Sequence, residues 1–239
     1  MNSERFIKEA IQSVNNQSYS DIEHIFIDGS SQDQTVNIIN SNAIRNIKVL
    51  SEPDNGIYNA MNKGLALSTG DIIYFLNSDD FFIDDLVLEK VVAVFEQRNV
   101  DIVYSGITYI NSNYKVISEW VPDEFFLGSF SKSWHPPHPG FFARKVCYEK
   151  AGSFDLNFNI AADFELMFRF LEVYKFSSAL LSRSIVNMRN DGFSSSFRSR
   201  LQGLLDIKKT FQKHENNTVF ILLIFRRYIK KLKRVVFKN

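Results

Sequence analysis

The strongest constraint on this chain is a unit that occurs three times between His24 and Phe95: a short apolar run, a polar loop, then residues at helical period. The runs are His24–Ile27, Ile47–Leu50 and Ile72–Leu76, and the helices that follow are predicted over Thr35–Ile39, Ile57–Leu67 and Leu86–Phe95. Runs of strand length alternating with helices predict an α/β fold with a mainly parallel central sheet flanked by helices. A further helix is expected before the first unit, over Glu4–Val14, where Phe6, Ile7, Ala10, Ile11 and Val14 recur at helical spacing.

After Val100–Tyr104, expected as the next strand, the alternation breaks down. Shorter strands are predicted at Ile107–Ile110, Val116–Val121, Phe176–Leu181 and Ile185–Met188, with helices at Lys145–Lys150 and Asp163–Val173. The three prolines of Trp134–Gly140 exclude regular structure there. The expected organisation is an α/β portion over 1–105, a mixed α+β portion over 106–195 and a helical tail over 196–239.

In an open α/β sheet, ligands bind beyond the carboxyl ends of the strands. Two of the three runs deliver carboxylates there, Asp28 after the first and Asp79-Asp80 after the third. Adjacent carboxylates repel unless a cation lies between them, so Asp79-Asp80 reads as a Mg2+ or Mn2+ site completed by water and phosphate oxygens. The competing role, capping the helix at Leu86, falls to the nearer Asp84 and Asp85. Asp28-Gly29-Ser30 and Asp54-Asn55-Gly56 are also compatible with plain turn chemistry.

Charge narrows the partners. The 28 basic and 27 acidic residues nearly cancel, yet Arg226–Asn239 holds seven Lys or Arg and no acid, leaving the other 225 residues at a net −6. That imbalance argues against nucleic acid as a partner of the body. From residue 219 onward the pattern is basic and amphipathic, which fits peripheral contact of residues 219–239 with an anionic membrane or a core-packed terminal helix. The opening residues lack a secretory signal, the longest apolar run is the seven residues Val219–Phe225, and Cys147 is the single cysteine. A cytoplasmic protein is expected, placed at the inner face of the membrane if the tail binds lipid.

An ordered series of stretches resembles family 2 glycosyltransferases of the GT-A fold, of the bacterial surface-polysaccharide type. It runs through Ile27-Asp28-Gly29-Ser30, Ser51-Glu52-Pro53-Asp54-Asn55-Gly56-Ile57-Tyr58-Asn59-Ala60-Met61-Asn62-Lys63-Gly64, Asn77-Ser78-Asp79-Asp80, His138-Pro139-Gly140 and Ala161-Ala162-Asp163. The resemblance spans roughly Phe6 to Ser195. It implies transfer of a sugar from a nucleotide donor, most often a UDP-sugar, to a saccharide or lipid-linked saccharide acceptor, with inversion. By position, Asp28 resembles the carboxylate that binds the base, and Asp54, Tyr58, Asn62 and Lys63 the lining of the nucleotide crevice. Asp79 and Asp80 resemble the DxD-type acids, with Asp80 the more direct metal ligand, and Asp163 the general base. His138, amid prolines, is read as a contact to the donor phosphates or the metal, or as a loop histidine satisfied by backbone groups. Arg189 and Gly192–Ser194 fall where the family often carries a lid over the donor, which makes Arg189 a candidate phosphate contact.

The resemblance also implies a leading apolar strand, central in the sheet, that this sequence lacks: it opens near Asn2 in the polar turn that would follow. Neighbouring strands are then expected to keep unpaired backbone groups. Two other readings stay open, a nucleotide-sugar-binding protein without catalysis and a metal-dependent phosphohydrolase at Asp79-Asp80.

Overall fold

The computed structural model describes residues 1–44, 46–189 and 197–214. The three predicted units are present: β1 (Glu23–Asp28), α2 (Thr35–Asn42), β2 (Asn46–Ser51), α3 (Ile57–Leu67), β3 (Ile72–Tyr74) and α4 (Val87–Arg98), preceded by α1 (Ile7–Asn15). Local chemistry sets their ends. Gly56, at φ 102°, makes the left-handed turn into α3, and Asn99, at φ 46°, stops α4. Asp84 accepts the Leu86 N–H ahead of α4, as the sequence predicts. The buried stripe Ile7, Ala10, Ile11, Val14 is the periodic face expected of α1.

The remaining elements are β4 (Phe81–Phe82), β5 (Ile102–Ile110), β6 (Val116–Trp120), β7 (Phe141–Arg144), α5 (Lys145–Ala151), α6 (Ala162–Phe168), β8 (Ser178–Arg189) and α7 (Phe197–Lys213). The two strands expected around 100–110 are one, and so are the two expected around 176–188. β8 absorbs its polar interruption as a bulge, where the register with β5 shifts around Gly106. The helix expected over Asp163–Val173 is α6 continued by a π-helical turn at Arg169–Val173.

The sheet differs from the expectation in two ways. It is mixed rather than mainly parallel: β1–β2 and β5–β8 pair parallel, while β3–β7, β5–β7, β5–β6 and β4–β8 pair antiparallel. The cause is the long return through residues 121–140, which brings β7 back between β3 and β5 in the opposite direction. It is also divided. β1 and β2 form one sheet, and a second has the order β3-β7-β5-β8-β4 with β6 beside β5. β3, expected in the interior, is therefore a terminal strand, and β1 likewise has a strand on one side only.

Most of the core lies under the larger sheet, in an aromatic-rich cluster that joins β3, β5 and β7 to α5, α6 and α7. A second cluster packs α4 on the other face. The two-stranded sheet rests on a small cluster of Ile7, Ile11, Phe26 and Ile39. Among the described residues no helix is long and apolar enough to cross a membrane. Residues 192–194 and 219–239, expected as lid and membrane contact, lie outside the described residues.

Candidate active site

Asp163 is the second residue of α6 and lines a cavity of about 260 Å3. The walls come from β5 and β6 (Ile107, Tyr109, Trp120), the proline-rich return (His135, His138), Met188 of β8 and Ile207 of α7. The Tyr58 hydroxyl lies 3.1 Å from Asp163 Oδ1 and 2.6 Å from the Ile160 carbonyl, a donor shared between the two. Asp163 Oδ2 has no hydrogen bond to a described residue, so one carboxylate oxygen is held and the other stays available. Glu165 faces away, as the helix period predicts, into a buried cluster with Arg169, Lys213 and His214.

His138 stacks on Phe75 at 6.2 Å between ring centroids and meets Phe154 edge-on at 6.0 Å. Burial pushes its imidazole below the ordinary range, and the Asp163 charge acts the other way. A neutral ring beside the carboxylate is a hydrogen-bonding group rather than a counter-charge.

Asp80, only 1% exposed, accepts from Asn77 Nδ2 at 2.8 Å. Burial first and the Asp79 charge second push it up to about 7, against the pull of the Asn77 bond and the Arg189 backbone N–H. A buried carboxylate beside a second one fits the oxygen donors that Mg2+ and Mn2+ prefer. Among the described residues no group of three or more His, Cys, Asp or Glu could hold a metal ion, so this pair needs further oxygens from water or a ligand. Asp79 makes no hydrogen bond to a described residue. After burial, the Asp80 charge raises the phenol of Tyr109, and Tyr109 lines the Asp163 cavity.

Asp28 is buried at the end of β1, where the Ser31 N–H and the Ser51 hydroxyl donate to Oδ2 at 2.8 and 2.7 Å and the Ser31 hydroxyl donates to Oδ1. Burial acts to raise it, but these bonds hold it below the ordinary carboxylate range. Asp54 lies over the same turn, since a Cβ built on Gly29 would fall 2.5 Å from Asp54 Oδ2. Residues 2–4 then link this loop to the acidic pair: Asn2 N–H donates to Ser31, Ser3 N–H to Thr35, and the Ser3 and Ser78 hydroxyls are 2.8 Å apart.

Three of the predicted residues are engaged elsewhere. Asn62 exchanges two hydrogen bonds with the Phe154 backbone, at 2.9 and 3.0 Å. Lys63 donates to the Pro53 carbonyl and pairs with Glu52, both at 2.8 Å, which ties down the 52–56 loop. Arg189 pairs with Glu9 among the rings of Phe6, Phe81 and Tyr114, while its backbone N–H serves Asp80. Its Nε is buried without a partner among the described residues. Sequence reasoning missed Tyr109 and Trp120 in the cavity wall, and Asp206 bonded to the turn before α6. Tyr109 and Trp120 lie on β5 and β6, whose pairing brings them together.

Comparison with known proteins identifies the family and the fold. A family model described as Glycosyl transferase family 2 matches residues 1–149. An uncharacterized glycosyltransferase of Mycobacterium tuberculosis is 34% identical over 167 residues, 68% of this chain and 63% of that protein. A PGL/p-HBAD biosynthesis glycosyltransferase of Mycobacterium bovis is 28% identical over 163 residues, 66% of this chain and 62% of that protein. The chain thus matches less than two thirds of these relatives' length. Among solved structures, Staphylococcus aureus TarS 1-349 in complex with UDP-GlcNAc gives a TM-score of 0.73 at 16% identity, covering 100% of this chain and 74% of that one. A mannosyltransferase of Pyrobaculum calidifontis in complex with GDP-Man and Mn2+ gives 0.66 at 15% identity, covering 91% and 64%. The fold is that of GT-A glycosyltransferases.

Proposed function

The chain belongs to glycosyl transferase family 2, and from that premise we propose that it transfers a sugar from a nucleotide-sugar donor, a UDP-sugar first among candidates, to an acceptor hydroxyl with inversion at the anomeric carbon. The observation that carries this reading is Asp163 in the cavity lining, one oxygen held by Tyr58 and the other without a hydrogen bond to a described residue. A sugar hydroxyl is too weak an acid to attack unaided, so a carboxylate must accept its proton as the new bond forms. Tyr58 fixes the rotamer of that carboxylate, and neutral His138 beside it supplies a hydrogen bond to the bound sugar or phosphate.

Mg2+ or Mn2+ held by Asp80 and Asp79 would neutralise charge on the departing diphosphate. The Asp28 loop and Asp54 form the nucleotide wall, to which residues 2–4 lock the Asn77–Asp80 loop. The acceptor is a saccharide or lipid-linked saccharide of bacterial surface-polysaccharide assembly, reached at the cytoplasmic face of the membrane with residues 219–239 as the lipid contact.

Thermal-shift measurements with nucleotide-sugars, with and without Mn2+, test the reading. Metal-dependent stabilisation by a UDP-sugar is expected. It should disappear in Asp80→Ala and persist in Asp163→Ala while turnover is lost. Turnover at the parent rate in Asp163→Ala removes that residue as the base. The divided sheet favours a second reading, donor binding without catalysis, and the same experiment separates them: stabilisation with no turnover of any donor by the intact chain selects it.

A further inference from the structure

The segment that presents Asp163 is held by a residue from far along the chain. Asp206, on α7 and 3% exposed, receives at one oxygen, Oδ2, the backbone N–H groups of Asn159, Ile160 and Ala161, at 3.0, 2.8 and 3.1 Å. Its Oδ1 accepts from Gln202 Nε2 at 2.9 Å. Successive N–H groups converging on one point form a concavity for an anion. Here the anion is a side chain of the protein, and bonds to an ionised acceptor are the stronger kind. Ala161, at the N-cap of α6, brings no side-chain acceptor, so the turn takes one from another helix.

We infer that Asp206 is a positioning residue for Asp163, setting the backbone from which the carboxylate is aimed into the cavity. The peptide units around Ile160 are gripped from both sides: the Ile160 N–H donates to Asp206, and the Ile160 carbonyl accepts from Tyr58, the residue that also holds Asp163. α7 is itself anchored. Ile207 and Phe211 enter the main core cluster, and the Thr210 hydroxyl bonds the Asp206 carbonyl at 3.1 Å. A shift of α7 or loss of the Asp206 charge therefore moves the base without touching the acidic pair or the Asp28 wall. Only the base's aim depends on it, so donor affinity should be insulated.

The inference rests on Asp163 being the base, and the test keeps the two apart. Asp206→Asn, Asp206→Ala, Asp163→Asn and the double variant Asp163→Asn/Asp206→Asn are assayed on the full chain with a UDP-sugar donor and Mn2+. For Asp206→Ala, kcat is expected to fall about 10- to 100-fold, the size of effect that a misplacement of about 1 Å produces. The donor KM and the UDP-induced thermal shift should stay within about twofold, and Asp206→Asn, which keeps an acceptor oxygen, should fall between the parent and Asp206→Ala. The double variant should be no slower than Asp163→Asn alone. Amide exchange should quicken at residues 159–161 and not in β1.

Parent-like kcat in Asp206→Ala, with Asp163→Asn impaired, overturns the inference and spares the base. Parent-like kcat in Asp163→Asn overturns the base instead. A full additional loss in the double variant, or a donor KM that rises in step with the fall in kcat, shows that Asp206 acts elsewhere. If Asp206→Ala does not fold, Asp206→Asn carries the comparison, and unchanged exchange at 159–161 in that variant overturns the inference whatever the turnover.

Discussion

The regions we assign to the base and to the nucleotide are built by different means. The Asp163 wall is backed by the large aromatic cluster, and its polar groups come from three helices: Tyr58 of α3, Asp163 of α6 and Asp206 of α7. The Asp28 wall stands on two strands over a four-residue buried cluster, and short polar contacts from residues 2–4 hold it in place. The first depends on a large buried area and buried side-chain bonds, and the second on a small cluster with hydrogen bonds from residues 2–4 and Ser51. The larger packed core thus backs the proposed base rather than the proposed nucleotide wall.

The largest effect that can probe this contrast is chemical. Asp163→Asn keeps size and the Tyr58 contact but cannot accept a proton, so kcat should fall by about 10^2 to 10^4 with donor binding retained, measured by turnover beside a UDP thermal shift. Next comes the buried charge behind the same wall. Glu165 is fully buried against Arg169, Lys213 and His214, and removing it leaves Arg169, which is 7% exposed, bonded to the Ala151, Gly152 and Ser153 carbonyls without its counter-charge. Glu165→Ala should cost about 3–5 kcal/mol in denaturant unfolding at pH 7. Burial by itself acts to raise Glu165, but bonds from His214, Arg169 and Lys213 draw it down to about 2. A folded value below the unfolded one gives stability that is fully present above the ordinary Glu range and lost as pH falls toward 2. The gap between the parent and Glu165→Gln should therefore narrow between pH 5 and pH 2, and a gap that stays constant would remove the ion cluster as its source.

What the sequence made legible follows the same division. β1, α2, β2 and α3 were readable to within a residue or two at most ends because their determinants are local: β-branched runs, Gly56, and the periodic apolar face. Asp28 and Asp79-Asp80 could be singled out because each stands at the end of a run, and Asp163 through the family resemblance. Asp206 could not, because its bonds to Asn159–Ala161 cross 45 to 47 residues and leave no periodic trace. Nor could the paths of Arg189, Asn62 and Lys63 be read, since a charge or amide in a crevice motif looks the same whether it faces a ligand or a backbone carbonyl. The merging of the short strands into β5 and β8 was hidden for a related reason. Gly106 allows β6 to approach so closely that a Cβ there would lie 2.8 Å from the Trp120 carbonyl, a packing fact that composition read as a strand break.

Smaller effects belong to the nucleotide wall. Gly29→Ala places a methyl 2.5 Å from Asp54 Oδ2, and that carboxylate must swing away. The expected cost is about 1 kcal/mol of stability with a raised donor KM and an unchanged kcat, read by steady-state kinetics. A fall in kcat at saturating donor would mean that the two walls are coupled.

The smallest effect tests whether the two-stranded sheet is as loosely supported as it looks. Ile47 on β2 is 38% exposed, whereas Ile102 on β5 is fully buried. Threonine keeps the β-branch in either strand, so strand propensity is nearly constant and the substitution reads burial. Ile102→Thr must bury a hydroxyl in an apolar cluster and should cost about 2–4 kcal/mol in urea unfolding. Ile47→Thr exchanges apolar for polar atoms at a surface that water already reaches, and should stay within about 0.5 kcal/mol, with the UDP thermal shift unaltered. If Ile47→Thr costs as much as Ile102→Thr, the outer face of β2 is covered in solution, and the contrast between a packed region around Asp163 and a lightly held one around Asp28 fails.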